Sequence, residues 1–360
     1  MSRQLTQSAR DARLEAVQQR LTESVAALVT GEDWRRALEF AARFRARSFG
    51  NSRLIYVAHH EAFKAGKVPN PTPTYVAGFK QWQSLGRQVQ KGQSGYAILA
   101  PNTARFATST PQIADSWRRL GRGEQPRGGE VVRTKLIGLH PTYVWDVSQT
   151  DGRPLVERPV PQLLRGQAPE GLWDGLADQI TAQGFELRLV SDAKAIGGAN
   201  GLTDFITSEV SVRMDMDDAQ QAKVLAHELG HVLLHAPEDL QARADATMHR
   251  GSIAEVEAES VALMVLAAHG MDSSAYTVPY VSSWANSVPG KSPVEVVAGT
   301  ADRVRATANA ILDDLDTIQV GNGDPPGLTR DYGTPEPPRP TVGLPAPRRE
   351  PIAGIGVKGP

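Results

Sequence analysis

The sequence predicts an α+β protein of two domains, and three observations carry that expectation. At 360 residues the chain is longer than one ordinary domain requires. Helical and strand-like patterns both occur in each half, and no internal repeat accounts for them. Charge is also divided unevenly. Arg35 to Lys91 holds eleven bases against two acids, a local charge of +9, whereas Gly201 to Gly270 holds twelve acids against four bases, a local charge of −8. Over the whole chain the formal charge is only −1, so the asymmetry predicts two domains with different partners. Solvated helix faces whose charges happen to segregate are the plainer account of the same pattern.

Taken in order, residues 5–30 read as a polar amphipathic helix, and 1–28 are set apart as an N-terminal helix. A second helix is expected from Asp33 to Ala46, with Leu38, Phe40, Ala41 and Phe44 on its apolar face. SFGN (48–51) reads as a break, after which SRLIYVAHHEAFKAG resumes as helix to Gly66. VPNPTPT is a proline-rich loop, and GFKQWQSLGR a short helix ended by Gly86. RQVQKGQSGYAILAP alternates like strands around a turn at Lys91–Gly95. Residues 107–129 are polar and irregular, and TKLIGLHPTYVWDVSQT returns to strand, closing a first domain at 29–155.

Four prolines between 151 and 170 place a linker at 156–169. The second domain is expected over 170–318. It comprises a helix at 170–183, a strand FELRLV, and one or two strands in DFITSEVSVRM. Helices follow from Asp217, over 252–268 and over about 293–318. Ten prolines and eight glycines in residues 321–360 predict a disordered tail, placed at 319–360. The absence of cysteine excludes disulfides and thiolate metal sites and fits a reducing cytoplasm. The polar opening residues predict no secretory signal, and no apolar run is long enough for a membrane partner.

Within the helix beginning at Asp217 stands AHELGHVLLH (226–235). His227 and His231 are four residues apart, so their imidazoles share one helix face and can bind one metal ion. Glu228 is rotated away from that pair. It suits the other role in H-E-x-x-H chemistry, taking a proton from a zinc-bound water. Catalytic zinc needs a third protein ligand and an open position. The next helix, SIAEVEAESVALMVLAAHG, has an apolar stripe through Ile253, Val256, Val261, Met264 and Val265. Glu257 falls inside that stripe, where a carboxylate is costly unless it meets a cation, so it is the expected third ligand. Glu255 is the alternative; with Glu259 it occupies another face, which reads as solvated. His235 continues the ligand face, where it supports the site or simply ends the helix near its negative pole.

HELGHVLLH followed by EVEAESVALMV resembles the ImmA/IrrE-type zincin metallopeptidases. That resemblance implies a two-histidine, one-glutamate zinc site in a minimal zincin fold, and maps the glutamate before Ala258 onto Glu257. The strand Glu209–Arg213 is then the expected edge for an extended protein substrate, added as a further β-strand.

The first half mixes its bases with Phe49, Tyr56, Tyr75, Phe79, Trp82, Tyr96, Tyr143 and Trp145. A cationic groove with aromatic platforms is how proteins hold single strands without sequence preference. SFGNSRLIYVAHHEA, VAGFKQWQSLGRQVQKGQSGYAILAP and VWDVSQTDGRPL are similar to the N-terminal domain of ArdC-like antirestriction proteins. The resemblance implies a single-stranded DNA-binding domain joined to a metallopeptidase. Arg43, Arg45, Arg47, Arg53, Lys80, Arg87 and Lys91 are the expected phosphate contacts, and Phe79, Trp82 and Tyr96 the expected stacking platforms. Two rival readings are a DNA-binding protein with a catalytically silent zincin scaffold, and a regulatory protease whose basic domain docks protein.

Overall fold

The computed structural model describes residues 2–155, 166–236, 252–271, 281–286 and 290–328. It opens with α1 (Ser2–Ala26), α2 (Gly31–Arg43) and α3 (Phe49–Lys64). Thr30 starts α2 with a capping box. Its Oγ1 accepts from the Asp33 amide at 3.0 Å, and the Asp33 carboxylate accepts from the Thr30 amide at 2.9 Å. Leu38, Phe40, Ala41 and Phe44 are buried as their spacing predicts. SFGN is a helix start rather than a break. The Ser48 hydroxyl caps α3 through the Asn51 amide, so the helix runs through Asn51 and leaves its side chain to reach the Leu99 backbone at both its N–H and C=O.

Next come β1 (Val76–Ala77), α4 (Phe79–Ser84), β2 (Arg87–Val89), β3 (Tyr96–Thr108), β4 (Arg118–Arg119), β5 (Val131–Asp146) and β6 (Thr150–Gly152). One sheet has the order β1-β5-β3-β4, and β2 pairs antiparallel with β6. Residues 107–129 are largely irregular as expected, holding as strand only the end of β3 and the two-residue β4, and β5 begins at Val131, three residues before the expected strand. Residues 103–137 are the described part of a compact unit of their own. The other unit comprises residues 1–102 with 138–328.

In that larger unit the second half supplies α5 (Leu172–Ala182), β7 (Glu186–Val190), β8 (Gly201–Asp204), β9 (Glu209–Arg213) and α6 (Asp218–His235). Then follow α7 (Ser252–Ala268), α8 (Val281–Ala285) and α9 (Pro293–Asp313). The sheet order is β7-β9-β8, with β7 parallel and β8 antiparallel to β9. This corrects the expected substrate edge. Both sides of Glu209–Arg213 are already paired, so the edges among the described residues are β7 and β8.

One apolar core runs through both halves of the larger unit. It joins Trp34, Leu38 and Phe49 to Leu225, Leu229, Val261 and Val265. Trp34 Nε1 donates to Ser260 Oγ at 2.9 Å inside it. The predicted linker lies mostly outside the described residues, since 156–165 are not among them. Of the predicted tail, 329–360 also lie outside them. Its first residues are packed. The Gly323 carbonyl accepts from the Val76 amide at 2.8 Å, and Asp324 is buried.

Candidate metal centre and basic surface

Asp217 caps α6 through the Gln220 amide, and the helix then carries Lys223, His227, His231 and His235 on one face at a spacing of four. Helix α7 crosses α6 where Gly230 meets Ala258. A Cβ on Gly230 would lie 3.1 Å from the Ala258 Cα, so the glycine sets how closely the helices approach. That approach brings carboxylates of α7 over the imidazoles of α6.

His227 Nε2 and His231 Nε2 lie 3.1 Å apart, and each has a Glu255 oxygen at 3.5 Å. Donors bound to one tetrahedral zinc ion at its usual bond lengths stand roughly 3.3–3.6 Å from one another. The three residues therefore fit a divalent metal ion in both chemistry and spacing, and they form the one such group among the described residues.

Glu257, expected as the third ligand, is elsewhere. One of its oxygens takes His235 Nε2 at 3.0 Å, and the other takes the Arg303 guanidinium. The physical reason is that α7 is buried nearly all round, by Val256, Ala258 and every residue from Val261 to Ala268. An apolar stripe then does not identify the face that meets α6. Residues 255 and 259 share that face, while 257 is turned about 200° from 255.

Electrostatics follow the same geometry. Burial works against a charged His227, but Glu255 and Glu259 outweigh it and lift its pKa to about 9. Burial shifts His231 downward. Burial also resists an ionised Glu255, yet His227 and His231 outweigh it and draw its pKa well below the carboxylate range. The cluster favours a positive charge at the point where a divalent cation would sit, so binding of such a cation there would be coupled to proton release. His227 Nδ1 contacts Glu259 Oε2 at 3.2 Å, and Lys223 Nζ contacts the other Glu259 oxygen at 2.9 Å.

Glu228 is buried but lines a pocket shared with Asn200, Gly201, Lys223, His227 and Glu259. Thr203 Oγ1 donates to Glu228 Oε2 at 2.7 Å. A Cβ on Gly201 would lie 2.7 Å from Glu228 Oε1 and 2.5 Å from Val224 Cγ1. Thus β8 both holds the carboxylate and leaves it room. The sequence alone assigns no role to Thr203, Lys223, Glu259 or Arg303. Lys223 and Glu259 carry a usable signal, being four residues from His227 and Glu255. Thr203 and Arg303 carry none, since tertiary packing alone brings them in.

Among the expected phosphate contacts, several guanidinium groups are occupied within the fold. Arg53 is buried and donates to the Ser24 carbonyl at 3.0 Å. Arg47 reaches the Val76 carbonyl at 2.7 Å and Asp324 at 3.1 Å. Arg45 lies 3.4 Å from Asp313, and Arg87 donates to Thr150 Oγ1 and its carbonyl at 2.9 and 2.8 Å. Arg43, Lys80 and Lys91 are exposed.

Two expected platforms are core residues. Trp82 is fully buried and donates from Nε1 to the Trp145 carbonyl at 3.0 Å. Tyr96 is 4 % exposed, with its hydroxyl 2.9 Å from His59 Nδ1. Both are needed where apolar volume and a buried partner coincide, so neither presents a ring to a base. Phe79 remains exposed, at 47 %. The basic surface that residues 35–91 were expected to carry is matched in the 103–137 unit, which has seven bases and three acids. Arg105, Arg119, Arg122, Arg127, Arg133 and Lys135 are exposed there. Arg133 and Lys135 lie over the Trp117 ring at 5.0 and 5.2 Å.

Comparison with known proteins matches the two halves to separate family models. Residues 12–134 match the family model of the N-terminal domain of anti-restriction factor ArdC. Residues 200–277 match a peptidase M78 model, the IrrE N-terminal-like domain. An uncharacterized protein of Bacillus anthracis is 22 % identical over 306 residues, covering 79 % of this chain and 48 % of its own length. The chain thus spans about half the length of that curated relative. Two crystal structures of the antirestriction ArdC protein from plasmid R388 are also similar. The metal-free one has TM-score 0.43 and 20 % identity, covering 74 % of this chain and 84 % of its own. The Mn(II)-bound one has TM-score 0.40 and 18 % identity, covering 74 % and 88 %. No described helix is long and apolar enough to cross a membrane. Residues 12–134 are therefore similar to the N-terminal domain of anti-restriction factor ArdC, and residues 200–277 to the IrrE N-terminal-like domain of peptidase M78.

Proposed function

We propose that the chain is a single-stranded DNA-binding zinc metallopeptidase of the antirestriction type, with His227, His231 and Glu255 as the zinc ligands. One observation carries the reading: three donors at tetrahedral spacing stand beside a held, pocket-lining carboxylate, Glu228. Two imidazoles and a carboxylate, with no thiolate, suit zinc and leave a position for water. When bound, zinc supplies Lewis acidity for a carbonyl and lowers the pKa of a water. Glu228 takes the proton of the attacking water and delivers it to the leaving amine. Thr203 keeps that carboxylate aimed into the pocket. The outer side of β8 is unpaired among the described residues, so an extended protein substrate adds there, beside Glu228, instead of at β9.

The DNA half of the reading rests on the match of residues 12–134 and on exposed cations. Arg43, Lys80 and Lys91, with Phe79, stay within the reading. The exposed bases of residues 103–137 join them. Arg45, Arg47, Arg53, Arg87, Trp82 and Tyr96 serve the fold.

A paired measurement on the full chain tests both halves. Zinc binding is expected at about one ion per chain in wild type, with loss in Glu255→Gln. Fluorescently tagged single-stranded DNA is expected to bind more tightly than duplex, with affinity falling as salt rises. Zinc loading without cleavage of any peptide tested leaves the fold as a silent scaffold. Absence of single-strand binding at low salt assigns the basic surface to a protein partner.

A further inference from the structure

We propose that His235, Glu257 and Arg303 form an outer chain that fixes the tautomer of His231 and thereby sets the affinity of the metal site. This rests on the metal reading above. It makes Glu257 a positioning residue whose loss mimics the loss of a ligand.

His231 presents Nε2 to His227 and Glu255, and Nδ1 to His235 Nδ1 at 3.0 Å. A neutral imidazole carries one proton, so a metal on Nε2 leaves that proton on Nδ1. The Nδ1–H then donates to His235, whose own Nδ1 must be bare. His235 accordingly keeps its proton on Nε2, which faces Glu257 Oε2 at 3.0 Å. The other Glu257 oxygen accepts from Arg303 Nε at 2.9 Å and from its Nη2. Each link thus has one direction, running outward from the metal position to a guanidinium.

The reverse arrangement fails at two points. A proton on His235 Nδ1 would face the His231 proton, and a bare His235 Nε2 would face an anionic carboxylate. The metal and the outer chain therefore select the same tautomers. His227 meets its supporting carboxylate, Glu259, directly, whereas His231 reaches Glu257 only through a second histidine. Outer partners of metal-bound histidines are typically worth about 10–100-fold in affinity.

The alternative is that Glu257 and Arg303 merely join α7 to α9. Zinc affinity by chelator competition, the Co²⁺ absorption spectrum and melting of the metal-free protein separate the two. His235→Ala and Glu257→Gln are expected to bind zinc about 10–100-fold more weakly. Their Co²⁺ band positions and intensities should match wild type, because the ligand set is intact. Glu255→Gln is expected to lose or alter those bands. If Glu257→Gln fails to fold, His235→Asn carries the test, since this residue ends α6 and is only half-buried. Zinc affinity unchanged in the folded His235 variants overturns the proposal. So does a Glu257→Gln spectrum changed like that of Glu255→Gln, which would make Glu257 a ligand. A wild type that takes up neither zinc nor cobalt refutes the metal reading itself, a result distinguishable from both.

Discussion

In α6 and α7, polar side chains converge on one another across a tight helix crossing. In the stretch from Arg35 to Lys91, by contrast, many polar side chains turn back onto the protein. His227, His231 and Glu255 point at a common centre, and Glu259 and His235 support them from behind. Arg47, Arg53 and Arg87 instead satisfy backbone carbonyls of neighbouring segments. The difference teaches that a concentration of one residue type builds a site only where rigid elements aim it at one point. A guanidinium beside a helix end or a short strand has carbonyls within reach, and hydrogen-bonding them is the cheaper fate for a buried or half-buried charge.

The largest effect expected from this contrast is in the helix pair. Glu228→Gln should retain zinc and the fold but lower peptide cleavage by about 10²–10⁴-fold, the usual contribution of general acid–base catalysis. Turnover and metal content measured on the same preparation check it. Loss of zinc along with activity would mean that Glu228 helps hold the metal, and the division between ligand and base would break.

Next in size is the tryptophan that anchors the basic half. Trp82→Ala should destabilise the protein by about 3–5 kcal/mol, as removal of a buried aromatic does. Phe79→Ala, at an exposed position, should stay within about 0.5 kcal/mol. Denaturant unfolding of the two variants measures both. If Trp82→Ala weakens DNA binding with stability intact, the ring is a platform after all, and the contrast between the two regions collapses.

How much of the molecule is legible in its sequence follows the same physics. The paired histidines and Glu228 are legible because the helical period alone converts their spacing into geometry. Which carboxylate of α7 stands over the imidazoles is not, because placing Glu255 or Glu257 there requires the phase of α7 on α6. That phase is set by the Gly230–Ala258 contact, not by an apolar stripe. In the basic half, the motif residues that carry the family resemblance are largely scaffold. Trp82 bonds the Trp145 carbonyl, Arg87 bonds Thr150, and the Gln149 amide bonds the Ser94 carbonyl at 3.0 Å. Sequence separations near 60 residues hide such pairings. The two-residue β4 is hidden for a related reason: it sits in a polar stretch with no alternation of apolar and polar residues.

The salt dependence of DNA binding sharpens the same division at a smaller scale. Each phosphate contact to a single strand contributes about −0.7 to the slope of log affinity against log salt. Replacing Arg119 and Arg122 with alanine should flatten the slope by about 0.7 for each phosphate that is no longer neutralised. Arg47→Ala should leave the slope unchanged while lowering the melting temperature. A slope that moves with Arg47 and not with Arg119 and Arg122 would return the DNA surface to the residues that the fold now occupies.

The smallest effect lies within residues 103–137. Arg118 donates to both oxygens of the Glu130 carboxylate, at 2.9 and 2.8 Å, and to Glu124 at 2.5 Å. The Arg118 hydrogen bond, followed by the Arg127 backbone amide, pushes the Glu130 pKa from the usual 4.5 down to about 2. Because the folded value lies below the unfolded one, the carboxylate's contribution is complete above about pH 4.5 and fades as pH falls toward about 2. The Glu130 side chain is largely covered and Arg118 partly so, and the effect stays local to their turn. Acidification should therefore loosen the Arg118 turn before the α6–α7 core, which the Trp117 indole resonance would report. Glu130→Gln should reproduce that shift at neutral pH with zinc affinity unchanged. If the Trp117 signal in Glu130→Gln stays at its wild-type position, the ion pair does not order the turn, and the 103–137 unit is held by its β3–β4 pairing alone.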